Sequence, residues 1–463
     1  MAVPGSDRVR GRCAPVRAVP GEPARKDYVM KREQVPAAPV TVSPQRQGAS
    51  DVDDRRHEPG LPCIAVFSSL FPSRVQPTAG LFIRERMFRV AAHAPLVVVS
   101  PRPWFPLQSL IRLVKPGYRP LPPRAEVQEG ITVLFPRFLA VPGVLRRLDS
   151  LSMALCTLPL MRRLRRERGV GLIDAHFAVP CGWAAVRLAR WLDLPVSVTL
   201  RGTEVRQLRE PALRRQVVEA VLGATQVFSV SDSLRRLLVA EGAAPERIEV
   251  VGNGVDLAKF QAIPRVEARR ALNLPDGAPV LVSVGGLVER KGFHRVIEVL
   301  PALIERFPGL HYLIVGGASP EGDMSAALRA RVRALGLAAH VTFTGPLPPE
   351  GLHVPLSAAD VFVLATRNEG WANVFLEAMA CGLPVVTTAV GGNAEVVSAP
   401  ELGSLVPFGD ADALRAALAE ALERDWDRDR IVAYAQRNTW DRRIVVLIEH
   451  FGRMTGAGRV APG

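Results

Sequence analysis

Short apolar runs separated by segments of helical spacing recur along the chain in two successive series. The first series has runs at 63–67, 95–99, 131–135, 172–177, 196–200, 226–230 and 248–251, with helical spacing at 81–91 and 180–191. The second starts after the Asn253-Gly254 turn, with runs at 280–284, 312–315, 341–343, 361–364, 385–388 and 404–407. Helices fit 295–307, 325–335, 373–381 and 412–423 within it, and a last helix fits 439–454. A strand that is apolar at every position must be covered on both faces, which a parallel sheet with helices crossing either side provides. The pattern therefore predicts two doubly wound α/β domains, 61–258 and 259–437, with 253–265 as hinge. The helix at about 438–455 is expected to pack back on the first domain. Ligands of such sheets bind beyond the strands' carboxyl ends, so two facing sheets predict a central cleft.

Length agrees, since 463 residues exceed one ordinary core. Residues 1–60, rich in Pro, Gly, Arg, Ala and Ser, read as a disordered leader, with Met30 as an alternative start, and 456–463 as a tail. Asp51 and Asp53 in the leader read as a chance DxD. No run of about 18 uncharged apolar residues predicts a spanning helix, and the start lacks the apolar core of a signal peptide. The five cysteines are scattered and form no CxxC pair, which speaks against structural zinc and for a reducing cytoplasmic setting.

The formal charge of +14 first suggests a polyanion binder. Its distribution narrows that idea. Residues 1–170 carry net +15, whereas 171–463 carry net −1. No helix-turn-helix, zinc finger or aromatic sheet motif accompanies the charge, so nucleic acid is not expected as a partner. In the first domain, Trp104, Phe105, Leu107, Leu110, Ile111, Leu113 and Val114 mix with Arg102, Arg112, Lys115 and Arg119. Segment 145–168 carries Arg146-Arg147, an apolar stretch, then Arg162, Arg163, Arg165, Arg166 and Arg168. Basic beside apolar residues suit an anionic membrane face; a core helix with solvated Arg ends is the competing account.

Chemistry concentrates in segment 367–384. A buried strand ends, a loop carries Glu369 and Gly370, and a helix opens near Ala372–Asn373 with Glu377 a turn inside. Backbone N–H groups at a helix start suit phosphate. Two carboxylates flanking a pyrophosphate would repel it, but they can accept hydrogen bonds from sugar hydroxyls on either side. The same spacing also fits a carboxylate balancing the helix dipole plus a surface Glu. A second loop, Gly285-Gly286 to Arg290-Lys291-Gly292, follows a strand and could neutralise a diphosphate leaving group. A third glycine turn is Gly391-Gly392-Asn393-Ala394-Glu395. No GxGxxG and no GxxxxGK[ST] is present, which lowers the case for redox or triphosphatase chemistry.

These motifs resemble those of retaining glycosyltransferases of family 4, which share the GT-B fold of two Rossmann-like domains about a cleft. Residues 369–388 resemble the family's EG…LEAmAcGxPV signature, 282–292 its strand-turn-KG loop, Gly391–Glu395 its GGxxE, and 253–256 its NGVD hinge. In the first domain, 71–80 resembles the acceptor loop, 174–177 the HAHF-type strand end, and 199–204 a further strand end. The resemblance spans about 61–455.

The resemblance implies roles. Glu369 holds the transferred sugar's hydroxyls, Gly370, Trp371, Ala372, Asn373 and Val374 offer backbone N–H groups to sugar and phosphate, and Glu377 takes the ribose. Lys291 binds the diphosphate, Gly80 approaches it from the first domain, and His176 lines the reaction centre. Arg74, Gln76 and Arg201 fall on the acceptor side. Gly286 stands where the family often has arginine, and Arg290 is expected to supply that charge. Trp371-Ala372-Asn373 replaces the common Phe-Gly-Leu, so donor identity does not carry over.

The implied reaction moves a hexosyl group from a nucleotide sugar to a hydroxyl of a glycan or lipid-linked acceptor. It is metal-independent and cofactor-free, and serves polysaccharide or glycolipid assembly peripherally on the inner face of the plasma membrane. A nucleotide-sugar epimerase of the same fold and a non-catalytic sugar-nucleotide-binding protein are the alternatives.

Overall fold

A computed structural model describes residues 60–106, 108–114, 118–141, 146–319 and 321–457. The expected leader, apart from Gly60, and the end of the tail lie outside these residues, as do Leu107, Lys115 and the side chain of Arg146.

The first half builds an eight-stranded sheet. Its spatial order is Ile248–Val250, Gln226–Ser229, Val196–Leu200, Val170–His176, Cys63–Phe67, Leu96–Val99, Ile131–Leu134 and Ala125–Gln128. Every neighbouring pair is parallel except the last, where Ala125–Gln128 runs antiparallel to Ile131–Leu134. That edge strand shows neither a continuous nor an alternating apolar pattern, because a carboxylate fills its covered face: Glu126 is buried while Val127 is exposed. The second half builds a six-stranded, fully parallel sheet, ordered Val341–Gly345, His311–Val315, Val280–Val284, Val361–Leu364, Val385–Thr388, Gly403–Val406. The strands Cys63–Phe67, Val196–Leu200, Val280–Val284, Val361–Leu364 and Val385–Thr388 are buried at every position, as continuous apolar runs require.

Among its parallel strands, each sheet has one point where chain order reverses. In the first, the strand after Cys63–Phe67 lies on one side and Val170–His176 on the other; in the second, Val280–Val284 and Val361–Leu364 flank the reversal. These switch points are where a doubly wound sheet opens a crevice at its carboxyl edge.

The chain crosses between the halves twice, side by side. Val255 N–H donates to Asn438 O at 3.0 Å, and Trp440 N–H to Val255 O at 3.3 Å. The last helix, Trp440–Thr455, then buries Ile444, Leu447 and Phe451 against Ile83, Met87, Phe228 and Val251 of the first half. Phe228 and Phe451 meet edge to face at 6.0 Å.

Candidate active site

The two loops at the second switch point are zipped together. After Val280–Val284 a short turn, Glu289–Lys291, ends at Gly292, whose φ is +78°. A Cβ there would stand 1.9 Å from the carbonyl oxygen of Ala365, so only glycine lets this turn lie on the neighbouring strand end. Arg367 N–H then donates to Arg290 O at 2.7 Å, and Thr366 Oγ1 to the same oxygen at 3.0 Å.

This zipper gathers charge on Glu369. Its Oε1 lies 2.8 Å from Lys291 Nζ, 3.3 Å from Arg290 Nη1, and accepts from Thr366 Oγ1 at 3.1 Å. Arg290 is also held by both oxygens of Glu321, at 2.6 and 2.7 Å, and these bonds lead the raising of its pKa. A Cβ at Gly286 would stand 2.9 Å from Ser319 Cβ, so a side chain there would need that loop to shift.

The helix Asn373–Ala380 opens after Ala372, as the sequence predicts, with Val374 half-buried and Glu377 one turn inside. Glu377 has no hydrogen-bond partner among the described residues. Burial, and then the charge of Glu85 across the cleft, push its carboxyl up to about 7. Glu85 in turn pairs with Lys259 at 2.7 Å and Arg89 at 2.9 Å, and Arg89 with Asp256 at 2.6 Å. These four charges border an open cavity of about 440 Å³ shared with Arg84, Phe88, Glu129 and Glu350.

From the other side come the strand ends of the first switch point. Gly80 (φ +72°) starts the helix Leu81–Val90, and a Cβ on it would stand 2.6 Å from the carbonyl oxygen of Leu70. Ser73 and Gln76 pair backbone to backbone, and the Arg74 N–H donates to Glu126. The Arg74 side chain is exposed and that of Gln76 half-exposed.

His176 is 0% exposed and does not open into the cleft. Arg201 Nη2 lies 3.0 Å from its Nδ1, and Asp174 Oδ2 lies 3.2 Å from its Nε2. Since guanidinium only donates, Nδ1 accepts and Nε2 carries the proton, near Asp174 but with no hydrogen-bond partner among the described residues. Burial lowers the His176 pKa to about 4 despite Asp174, so the ring is neutral near pH 7. Burial pushes Asp174 up, but His176 and Ser197 outweigh it and hold the carboxyl below its usual range. His176 thus bears on the cleft through Arg201, which reaches on to Asn253 Oδ1 at 2.7 Å, while Asn253 Nδ2 donates to Asn373 Oδ1 at 2.8 Å.

Two further carboxylates hold backbone at the cleft, one within the first half and one across it. Glu204, fully buried, accepts backbone N–H groups from Ala178, Arg201 and Gly202. Glu395 reaches from the second half to the N–H groups of Asp232 (2.6 Å) and Ser233 (2.9 Å), at the start of the helix Asp232–Val239. Both residues lie in motifs visible in the sequence, but nothing there says that their acceptors are spent on backbone.

Residues 264–438 match the model for glycosyl transferases group 1, and 90–259 match that for glycosyltransferase family 4. D-inositol 3-phosphate glycosyltransferase of Corynebacterium urealyticum is 35% identical over 314 residues, covering 61% of this chain and 72% of that protein. The chain is a family 4 glycosyltransferase.

The glycosyltransferase is also 32% identical to the GDP-mannose-dependent alpha-(1-6)-phosphatidylinositol monomannoside mannosyltransferase of Mycobacterium tuberculosis, over 59% of this chain and 71% of that one. Its fold is GT-B, shared with sucrose-phosphate synthase from Thermosynechococcus elongatus at a TM-score of 0.67 and 21% identity, over 86% of this chain and 100% of that one. No helix among the described residues is long and apolar enough to cross a membrane. None of them form a His, Cys, Asp or Glu cluster suited to a metal ion.

The outer flank of the glycosyltransferase's first domain exposes apolar side chains beside arginines. The helix Asp149–Arg168 sends Met153, Ala154, Met161 and Leu164 into the core, while Leu151 and Leu155 face out, followed by the exposed Arg162, Arg163, Arg165, Arg166 and Arg168. Leu113 and Val114 are 80% and 90% exposed. The Arg137 pKa is lowered by burial and then by Arg124 and Arg112, which places like charges together on this flank.

Proposed function

We propose that the chain moves a hexosyl group from a nucleoside diphosphate sugar to a hydroxyl of a glycan or lipid-linked acceptor, with retention at the anomeric carbon and without a metal ion. The observation that carries this reading is Glu369: a carboxylate ringed by Lys291, Arg290 and Thr366 beside the Asn373–Ala380 helix start. An ionised carboxylate only accepts, which suits sugar hydroxyls. The neighbouring cations and the helix N–H groups suit the diphosphate as its charge grows.

In this mechanism the bond from the anomeric carbon to the diphosphate oxygen breaks as the acceptor oxygen bonds that carbon on the same face. The acceptor's proton passes to the departing diphosphate. Lys291 turns from Glu369 to the phosphate oxygens, Glu377 takes ribose hydroxyls, and neutral His176 holds Arg201 in place. The relatives' names, with inositol 3-phosphate and phosphatidylinositol monomannoside in them, support a phosphorylated or lipid-linked polyol as acceptor. The basic, apolar flank supports docking on an anionic membrane surface at its cytoplasmic face.

A thermal-shift screen with UDP-, GDP- and ADP-sugars tests donor binding, since a ligand at about 100 Kd adds about 2.7 kcal/mol. Turnover of the stabilising donor should persist in chelator. Loss restored by Mg²⁺ or Mn²⁺ contradicts the metal-free step, and turnover of donor without acceptor favours an epimerase.

A further inference from the structure

We propose that the buried Arg86 and the half-buried Arg201 and Arg443 form an anion site at the root of the interdomain cleft, and that it takes a phosphate group carried by the acceptor. The second half of that statement rests on the transferase reading; the first does not.

Arg86 lies on the inner side of the helix Leu81–Val90 and is 1% exposed. Neither of its Nη atoms has an acceptor among the described residues. The Nε of Arg201, the Nε of Arg443 and the indole N–H of Trp371 are likewise buried without an acceptor. These groups share one neighbourhood. The helices of Arg86 and Arg443 pack against each other, and Arg86 feels the charges of both Arg443 and Arg201. Arg443 Cζ lies 5.9 Å from the Trp371 ring centroid, and that ring lies against Gly252.

The cluster is short of negative charge. Against three guanidiniums stand Asp174 and Glu204; Glu204 is already engaged by three backbone N–H groups, and Arg443 Nη2 donates to the neutral Asn438 Oδ1 at 2.6 Å. Asp174 is shared with Ser197 and His176. Burial lowers the Arg86 pKa to about 10, with Asp174 opposing and Arg443 adding to the effect. A buried cation without a partner is strongly unfavourable, and a site built from forked N–H donors matches phosphate oxygens. The position suits an acceptor. Arg201 joins the cluster to His176 and Asn253, and Trp371 adjoins Gly370 of the Glu369 loop.

The test is calorimetric and thermal titration of the full chain with inorganic phosphate, with glycerol phosphate, and with vesicles containing phosphatidylinositol. Phosphate should bind and raise the Tm. Arg86→Met and Arg443→Gln should each weaken phosphate by at least about tenfold. Arg86→Met should also be no less stable than the parent in phosphate-free buffer, because it removes an unanswered buried charge. Tighter binding of glycerol phosphate points to a soluble acceptor, and of the vesicles to a lipid headgroup; either supports the site. No phosphate response, an unchanged Kd in both variants, or an Arg86→Met protein destabilised without phosphate overturns it, the last because water then answers the cluster. The nucleotide response, read in parallel, should survive in both variants. Its absence from the parent chain would count against the transferase reading and leave the phosphate arm readable.

Discussion

Gly202 of the first domain and Gly370 of the second touch backbone to backbone: a Cβ on Gly202 would stand 2.8 Å from the Gly370 Cα, and one on Gly370 would stand 2.4 Å from the carbonyl oxygen of Arg201. Gly202 also has a φ of +107°, so its replacement adds strain to the clash. Gly370 carries the spatial constraint alone. Closure of the cleft over Glu369 therefore needs both residues bare.

Gly370→Ala should hold the domains apart while each folds normally. We expect kcat/KM to fall about 100-fold, the size of effect that a misplacement near 1 Å produces. Solution scattering should show an enlarged radius of gyration with the Tm little changed. Full activity in this variant would mean that the closed arrangement is not the reacting one.

Lys291→Ala should cost turnover by roughly 100- to 1,000-fold, as loss of a placed charge-stabilising donor does. Arg290→Ala should cost about tenfold, because its guanidinium is shared between Glu369 and Glu321. If Arg290→Ala leaves both nucleotide-sugar affinity and turnover unchanged, Arg290 does not stand in for the side chain absent at Gly286.

Glu377 gives a pH dependence with a definite sign. Its carboxyl is raised to about 7 from an ordinary value of 4.5. The folded chain thus binds a proton that the unfolded chain lacks between these values. The neutral form's contribution to stability is complete below 4.5 and is lost as pH rises through about 7. In the proposed role Glu377 accepts from the ribose as a carboxylate, so nucleotide affinity should fall as pH drops below 7, approaching tenfold per unit. Glu377→Gln should flatten that slope and raise the Tm at pH 8 but not at pH 4. A parent chain whose nucleotide affinity is flat between pH 5.5 and 8 contradicts the assignment.

Much of this was legible in the residues. Strands such as Val280–Val284 and Val361–Leu364 are apolar throughout because helices cover both faces, and so they announce themselves. The Glu369 loop and the Asn373–Ala380 helix start were equally plain, since their glycines and carboxylates stand in a short span. What escaped depends on contacts between distant segments. The edge strand Ala125–Gln128 buries Glu126 and exposes Val127, so it lacks the apolar-in, polar-out alternation of a one-sided strand. His176 reads as a cleft residue, yet it is buried, with Nδ1 taken by Arg201 and Nε2 lying 3.2 Å from Asp174. Glu395 ties a helix start more than 160 positions away, and no local pattern encodes that partner.

The arginine-rich flank makes a separable prediction. Each basic side chain near an anionic membrane contributes about 1 kcal/mol. The chain should float with anionic liposomes and not with neutral ones, and exchanging Arg162, Arg163 and Arg166 for Gln together should weaken that preference. Equal flotation with both lipids would remove the membrane from the account.

Retention in the transfer is read from the anomeric configuration of the product. Purified chain, its stabilising nucleotide sugar and a hydroxyl acceptor should yield a glycoside whose anomeric proton coupling shows the configuration of the donor. An inverted product, or a donor isomerised with no glycoside formed, would rule out retaining transfer by this chain.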